Sequence, residues 1–236
     1  MAQAIQTVLR DDALVLRFLK GQGSRLVVVF TGIGAGFGDR RLDEFAASAS
    51  DGGANNVLFV TDRAASWYAA PGLWDRIVDL IRATCEHEAT TELVTLGNSM
   101  GGYGAMLAAR DLPVARAIAF SPQVTMDRDL LADARWPDVA AKFGPLPIRS
   151  TAELVGQGET RFFVAVGGDC APDRAHVDLL PAHPNLHRFV LPVAAHNLAR
   201  SLKEAGQLSQ IIAAIIRGRT RRVTTIFNRY ARGVAA

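Results

Sequence analysis

The residues whose types and spacing could do chemistry begin with Ser99, set in Gly97-Asn98-Ser99-Met100-Gly101, a G-x-S-x-G pattern. A short apolar run ends at Leu96 before it, and an Ala-rich, helix-favouring segment follows it, so the stretch reads as strand, sharp turn, helix. Flanking glycines let backbone pack closely around a residue held in a strained turn, which lifts a serine hydroxyl above a sheet as a nucleophile. The plainer role for Ser99 is a cap on the helix that starts at Met100. A serine hydroxyl is a poor nucleophile at neutral pH, so it needs a base within hydrogen-bond reach and a third group to orient that base. The chemistry would then be acyl transfer.

Of the five histidines, His196 alone follows the last expected strand and precedes a helix, in LPVAAHNLARSLKEAG, where a base can fold back toward Ser99. Its ordinary alternative is a capping or loop histidine. His87 lies between Glu86 and Glu88 on a charged helical segment, His183 precedes Pro184, and His187 begins a strand. The acid should follow the strand RFFVAVGG at the same sheet edge, and two residues compete there. Asp173 is preferred, one short loop beyond the glycines, with helix capping as its plainer role; Asp169 is the alternative acid. The oxyanion of a tetrahedral intermediate needs two backbone donors: Met100 N–H, and the Gly32-Ile33 peptide, where Gly32 permits the bend that turns the Ile33 N–H inward.

The glycine-rich VVVFTGIGAGFG also invites a nucleotide reading, which fails on spacing: Asp39 and Phe37 stand where a dinucleotide fingerprint needs glycine, and no Gly-Lys-Ser/Thr follows. No cofactor is expected. Asp169, Asp173, His176 and His183 are close in sequence, but Asp173 and His176 alone share a helix face, a weak metal signal; no metal is expected, and His176 is read as a support for the acid loop. Trp67 and Tyr68, in VTDRAASWYAAPG, are candidate substrate-binding residues or else loop anchors, and Gln123, in SPQVTMD, is a further substrate-binding candidate.

The elements that must position these residues alternate between apolar runs and helix-like segments, the pattern of a mostly parallel sheet of about 7–8 strands with helices on both faces. Strands are expected near 5–10, 13–19, 26–31, 56–61, 92–97, 115–120, 161–167 and 187–191, the first two as an edge hairpin. Helices are expected near 39–50, 73–88, 100–110, 174–181 and 197–216. Residues 121–158, rich in Pro and charge, read either as a small cap over the carboxyl edge or as an ordinary crossover with a helix around 127–134 and long loops. With 236 residues, 49% hydrophobic and 21% charged, residues 1–216 suit a single α/β domain.

The formal charge of +3 hides an asymmetry: Arg217, Arg219, Arg221, Arg222, Arg229 and Arg232 all follow the last acidic residue, Glu204, and the body without them is net negative. Neither a basic body nor a reading module for nucleic acid is present. The basic C-terminal tail, 217–236, has arginines interleaved with Val223, Ile226, Phe227 and Tyr230 and could contact an anionic membrane surface or a partner; a solvated, partly frayed terminus is preferred. Apolar runs are far shorter than the roughly 20 residues of a membrane span. The start has no signal-peptide pattern, and Cys85 and Cys170 make no disulfide framework, so the cytoplasm is the expected compartment.

With these residues assembled, the chain from about 25 to about 210 resembles the α/β-hydrolase superfamily through FTGIG, GNSMGGYGA, GGDCAPDRAH and AAHNLA. Within it the chain is similar to poorly characterised bacterial serine-hydrolase-like proteins sharing SWY, GNSMGG, FSPQ, a D-x-x-H after the late strand and a terminal HN. The resemblance implies a doubly wound sheet and a Ser99, Asp173, His196 triad, and no particular substrate. The expected activity is hydrolysis of a small-molecule acyl ester or thioester. The rival expectation is a hydrolase-fold binding or scaffold protein of weak or absent activity, since fold does not dictate chemistry.

Overall fold

Continuous apolar runs such as LVVVF can serve only where both faces of a strand are covered, and that is where they lie. The computed structural model describes residues 4–33, 36–37, 40–41, 43–136, 138–193 and 196–234. Its main sheet has eight strands: β1 (Gln6–Arg10), β2 (Leu14–Leu19), β3 (Arg25–Phe30), β6 (Asn56–Asp62), β7 (Glu92–Asn98), β8 (Val114–Phe120), β9 (Arg161–Gly167) and β10 (Leu186–Leu191), in the order β1-β2-β6-β3-β7-β8-β9-β10. β1 and β2 form the expected antiparallel edge hairpin, and β2 pairs antiparallel with β6. All remaining pairs are parallel.

Alternation along each central strand divides the core into two layers. Val28 and Phe30 face one side, where α2 (Leu73–His87), α3 (Met100–Leu107) and α5 (Ala171–Asp178) bring Ile77, Tyr103, Met106 and Val177. Val27 and Val29 face the other, with α1 (Ala46–Ser50), α6 (Leu198–Glu204), α7 (Leu208–Ile216) and α8 (Thr220–Val234) supplying Ala49, Leu202, Ile211 and Phe227. Parallel strands present all their carboxyl ends to one edge. The segments after β3, β7, β8, β9 and β10 therefore meet there, which is what positions the site.

Several expectations from sequence need correction. The helix expected at 39–50 is confined to α1, while Gly36–Phe37 (β4) and Arg40–Arg41 (β5) pair as a short antiparallel ladder; residues 38, 39 and 42 lie outside the described residues. The helix expected at 197–216 is two helices, broken where Gly206 takes φ 68°, a conformation glycine adopts without strain. The stretch near 127–134 forms turns rather than a helix, because the Asp127 side chain accepts from the Asp129 N–H at 2.9 Å and competes with helical pairing. The excursion's helical pieces come later, as α4 (Val139–Phe143) and a 3-10 turn at Thr151–Leu154.

The C-terminal segment is the largest correction. It is a helix docked on the body, because Val223, Ile226, Phe227 and Tyr230 recur at helical spacing and give α8 an apolar stripe. Phe227 stacks on Phe189 of β10 at 4.2 Å, and Arg217 ties the preceding turn to Asp51 at 2.6 Å. Arg221, Arg222, Arg229 and Arg232 remain on the outer face. Among the described residues no helix is long and apolar enough to cross a membrane.

Candidate active site

β7 delivers the chain to Asn98, α3 begins at Met100, and Ser99 between them is held at φ 56°, ψ −122°, a strained setting for a residue with a Cβ. The turn closes only because its flanks lack side chains. A Cβ on Gly97 would stand 2.1 Å from the Gly101 carbonyl oxygen, and one on Gly101 would stand 2.0 Å from that of Phe30. The Ser99 N–H donates to Phe120 O at 2.9 Å, and its carbonyl accepts the Tyr103 N–H at 3.1 Å, so both backbone groups are fixed.

His196 lies in the loop between β10 and α6, where the Asn197 side chain caps α6 by accepting the Arg200 N–H at 3.1 Å. Its Nε2 is 3.1 Å from Ser99 Oγ, and its Nδ1 is 2.8 Å from each oxygen of Asp173. Asp173 sits in the first turn of α5, where the helix N-terminus favours a negative charge, and is 1% exposed. Asp169 is exposed just after β9, and its N–H donates to Val193 O at 3.2 Å, whereas the carboxylate that meets the imidazole is that of Asp173. The geometry therefore joins Ser99, His196 and Asp173, and leaves the alternative acid outside.

The fold can now be compared with solved structures. A thermophilic esterase of the Planctomycetes species Thermogutta terrifontis, described as butyrate bound, superposes with TM-score 0.61 at 16% identity, covering 92% of this chain and 94% of that one. An α/β hydrolase from a sediment metagenome of the Mar Chica lagoon, Morocco, gives TM-score 0.57 at 15% identity over 92% and 99%. A capsule O-acetyltransferase of Neisseria meningitidis serogroup A gives 0.59 at 12% identity over 85% and 92%. No family model and no curated protein sequence matches the chain. The chain has the α/β-hydrolase fold.

On this hydrolase fold the remaining sequence candidates separate. Met100 provides the first N–H of α3, one of the donors a helix start leaves without an intrahelical acceptor. The Gly32 N–H is engaged by Glu44 Oε2 at 2.9 Å, whereas the neighbouring Ile33 side chain is 40% exposed and beside residues outside the described set. A Cβ on Gly32 would be 3.0 Å from Asn98 O, the close approach that makes glycine fit there. Trp67 and Gln123 reach the nucleophile's surroundings: the Trp67 indole N–H donates to Gln123 Oε1 at 3.3 Å, and Gln123 Nε2 is 3.3 Å from Ser99 Oγ.

Tyr68 does not join them and is corrected to the loop-anchor alternative. Its ring packs among Phe30, Trp74 and Tyr103, and a Cβ on Gly104 would collide with it at 2.6 Å. The loop that carries both aromatics is held by Asp62, whose carboxylate accepts the N–H groups of Ala64, Ser66 and Tyr68 and the Ser66 hydroxyl. That scaffold supports positive φ at Ala65, Trp67 and Tyr68, a cost few loops carry.

Three residues at the site were missed by the sequence reading: Asp133, Arg135 and Trp136, all from the excursion. Arg135 donates to Asp173 Oδ1 at 2.8 Å and forks onto Asp133, with its second guanidinium nitrogen 2.6 Å from Oδ2. Asp133 also meets His176 Nε2 at 3.2 Å, so His176 supports the acid through two intermediaries rather than directly. The Trp136 ring lies 5.9 Å from the His196 ring and 5.6 Å, edge-on, from Trp67. Their one sequence signal is a D-x-R-W cluster, and charges in a loop ordinarily face water.

Electrostatics follow from this network. Burial pushes the Asp173 carboxyl upward, yet hydrogen bonds and charge from His196 and Arg135 overcome it and hold the group below its ordinary range. Asp133 is likewise opposed by burial and drawn down to about 2 by Arg135. Burial dominates at His176 and lowers its pKa in spite of Asp133. Among the described residues no group of three or more His, Cys, Asp or Glu could hold a metal ion.

Proposed function

We propose that this protein is a serine esterase that cleaves an acyl ester or thioester through an acyl-enzyme intermediate. The observation that carries the reading is the unbroken path from Ser99 Oγ to His196 at 3.1 Å and on to Asp173 at 2.8 Å. Asp173 holds the Nδ1 proton and thereby leaves Nε2 as the base facing Ser99. As Oγ attacks the acyl carbonyl, His196 Nε2 takes the hydroxyl proton, and the Met100 and Ile33 N–H groups receive the oxyanion. His196 then protonates the departing alcohol or thiol. Water attacks the acyl-serine by the same route in reverse and restores the enzyme. The esterase and α/β-hydrolase likenesses support this reading at the level of fold, and the acyl substrate of this chain is a small molecule.

The test is covalent labelling by a fluorophosphonate together with turnover of p-nitrophenyl acyl esters of increasing chain length. Wild type should label and turn over, and Ser99→Ala should do neither; a protein inert to both reagents, or equal labelling of Ser99→Ala, overturns the proposal. Ester length against rate also reports the depth of the acyl site.

A further inference from the structure

Gln123 is fully buried, and among the described residues the partners of its amide lie at the site: Trp67 on one side and Ser99 on the other. A buried amide costs about 1–3 kcal/mol when its bonds are lost, so a purely structural position would more readily carry an apolar side chain. The position is also rigid. Ser121 is fixed at φ 42° with its N–H on Ala165 O at 2.8 Å, and Val124 O accepts the Thr151 N–H at 2.8 Å and the Thr151 hydroxyl at 3.0 Å. Pro122 between them packs on α3, where a Cβ on Gly102 would lie 3.0 Å from it.

The orientation of the amide can be derived. An indole N–H only donates, so the Gln123 atom 3.3 Å from Trp67 Nε1 must be the carbonyl oxygen. That places the NH2 group toward Ser99 Oγ at 3.3 Å. With the amide nitrogen donating to Oγ, two acceptors are left for the hydroxyl's own proton, and His196 Nε2 at 3.1 Å is nearer than Gln123 Oε1 at 3.4 Å.

Resting on the esterase reading, we propose that Gln123 is a catalytic residue: its Nε2–H group first sets the Ser99 proton toward His196 and then donates to the oxyanion, with Trp67 as the positioning residue that prevents the amide from turning over. In the acylation step the Oγ–carbon bond forms, the Oγ proton passes to His196 Nε2, and the carbonyl π pair moves onto oxygen. That oxygen, attached to the carbon now bonded to Oγ, develops its charge within the reach of the same NH2 group, which has two hydrogens to give. When the pair returns to rebuild the carbonyl, the bond to the leaving oxygen or sulfur breaks and His196 supplies its proton. A donor already aimed at the place where charge appears needs no reorganisation.

The experiment compares wild type, Gln123→Met, Gln123→Glu and Trp67→Phe with p-nitrophenyl acetate and a fluorophosphonate, with thermal midpoints beside them. Gln123→Met keeps the volume without a donor, and Gln123→Glu keeps the shape while reversing the polarity. Both should lower kcat about 100-fold with KM within about twofold, and slow labelling in parallel. Trp67→Phe should cost about tenfold, and the double variant Trp67→Phe with Gln123→Met should be no slower than Gln123→Met alone, since the two act as one unit. The inference is overturned if an active wild type loses less than about threefold in kcat in both folded Gln123 variants, or if they raise KM alone. A wild type inert to both reagents overturns the esterase reading and this inference together.

Discussion

At the scale of single residues, the acid assignment rests on position rather than on charge type. Asp173 and Asp169 are both carboxylates near the end of β9, but only Asp173, in the first turn of α5, is buried against the imidazole. Asp173→Asn leaves the wrong hydrogen-bonding group at Nδ1 and should reduce kcat/KM by about 10⁴, whereas Asp169→Asn should stay within about twofold; steady-state kinetics on the two variants decides. Arg135 presents a different case, with its side chain 28% exposed and its charge already shared by two carboxylates. Removing it leaves Asp133 and Asp173 with less compensation, so Arg135→Ala should lower kcat about tenfold and destabilise by about 1–2 kcal/mol after allowance for solvent screening. Arg135→Gln, which keeps a donor, should recover part of the rate. Gly97→Ala has no such graded outcome: the 2.1 Å approach to Gly101 O is to backbone, so Ser99 must move and labelling should disappear.

At the scale of elements, α8 decides how the basic segment must be tested. Its apolar face is part of the core, so deleting it uncovers β10 and the outer helical layer and removes more than charge. Phe227→Ala should cost about 3–4 kcal/mol in chemical denaturation. Replacing the exposed Arg221, Arg222, Arg229 and Arg232 by glutamine should change stability by no more than about 0.5 kcal/mol each. The glutamine variant therefore isolates any contact with an anionic surface from the folding of the chain, which a truncation before Arg217 does not. The apolar spacing of this helix was legible at Val223, Ile226, Phe227 and Tyr230. Its docking was not, because an amphipathic period states that a face exists and not what covers it.

At the scale of the whole molecule, the buried His176 links the acid network to stability. Its folded pKa lies below the ordinary 6.5, so between those two values the unfolded chain binds more protons than the folded one. Stability is then lost as pH falls from about 6.5 through the folded value, and the loss is complete below it. Asp173 and Asp133 act with the same sign further down: their folded pKa values are depressed, so they stabilise above the ordinary 3.8 and cease to do so as acid protonates them, Asp133 last at about 2. The thermal midpoint should thus decline in two stages on acidification, the first setting in below about pH 6.5. His176→Gln should flatten the first stage and leave the second. An unchanged slope in that variant would assign the loss elsewhere.

By itself the sequence determined what neighbours along the chain can impose: the Gly-flanked turn at Ser99, the apolar runs that must become covered parallel strands, and the order of serine, acid and histidine. These are local matters of backbone sterics and side-chain period, readable within a dozen residues. The tertiary structure alone decided that His196 meets Ser99 across 97 positions, that Asp173 rather than Asp169 supports it, and that Arg135 crosses 38 positions to hold Asp173. Such contacts depend on strand order and on where loops land at the shared carboxyl edge. Periodicity along one element carries no information about that placement, which is why Tyr68 reads like Trp67 in the sequence although both are buried and Trp67 alone of the two reaches Gln123, while Tyr68 stacks on Tyr103.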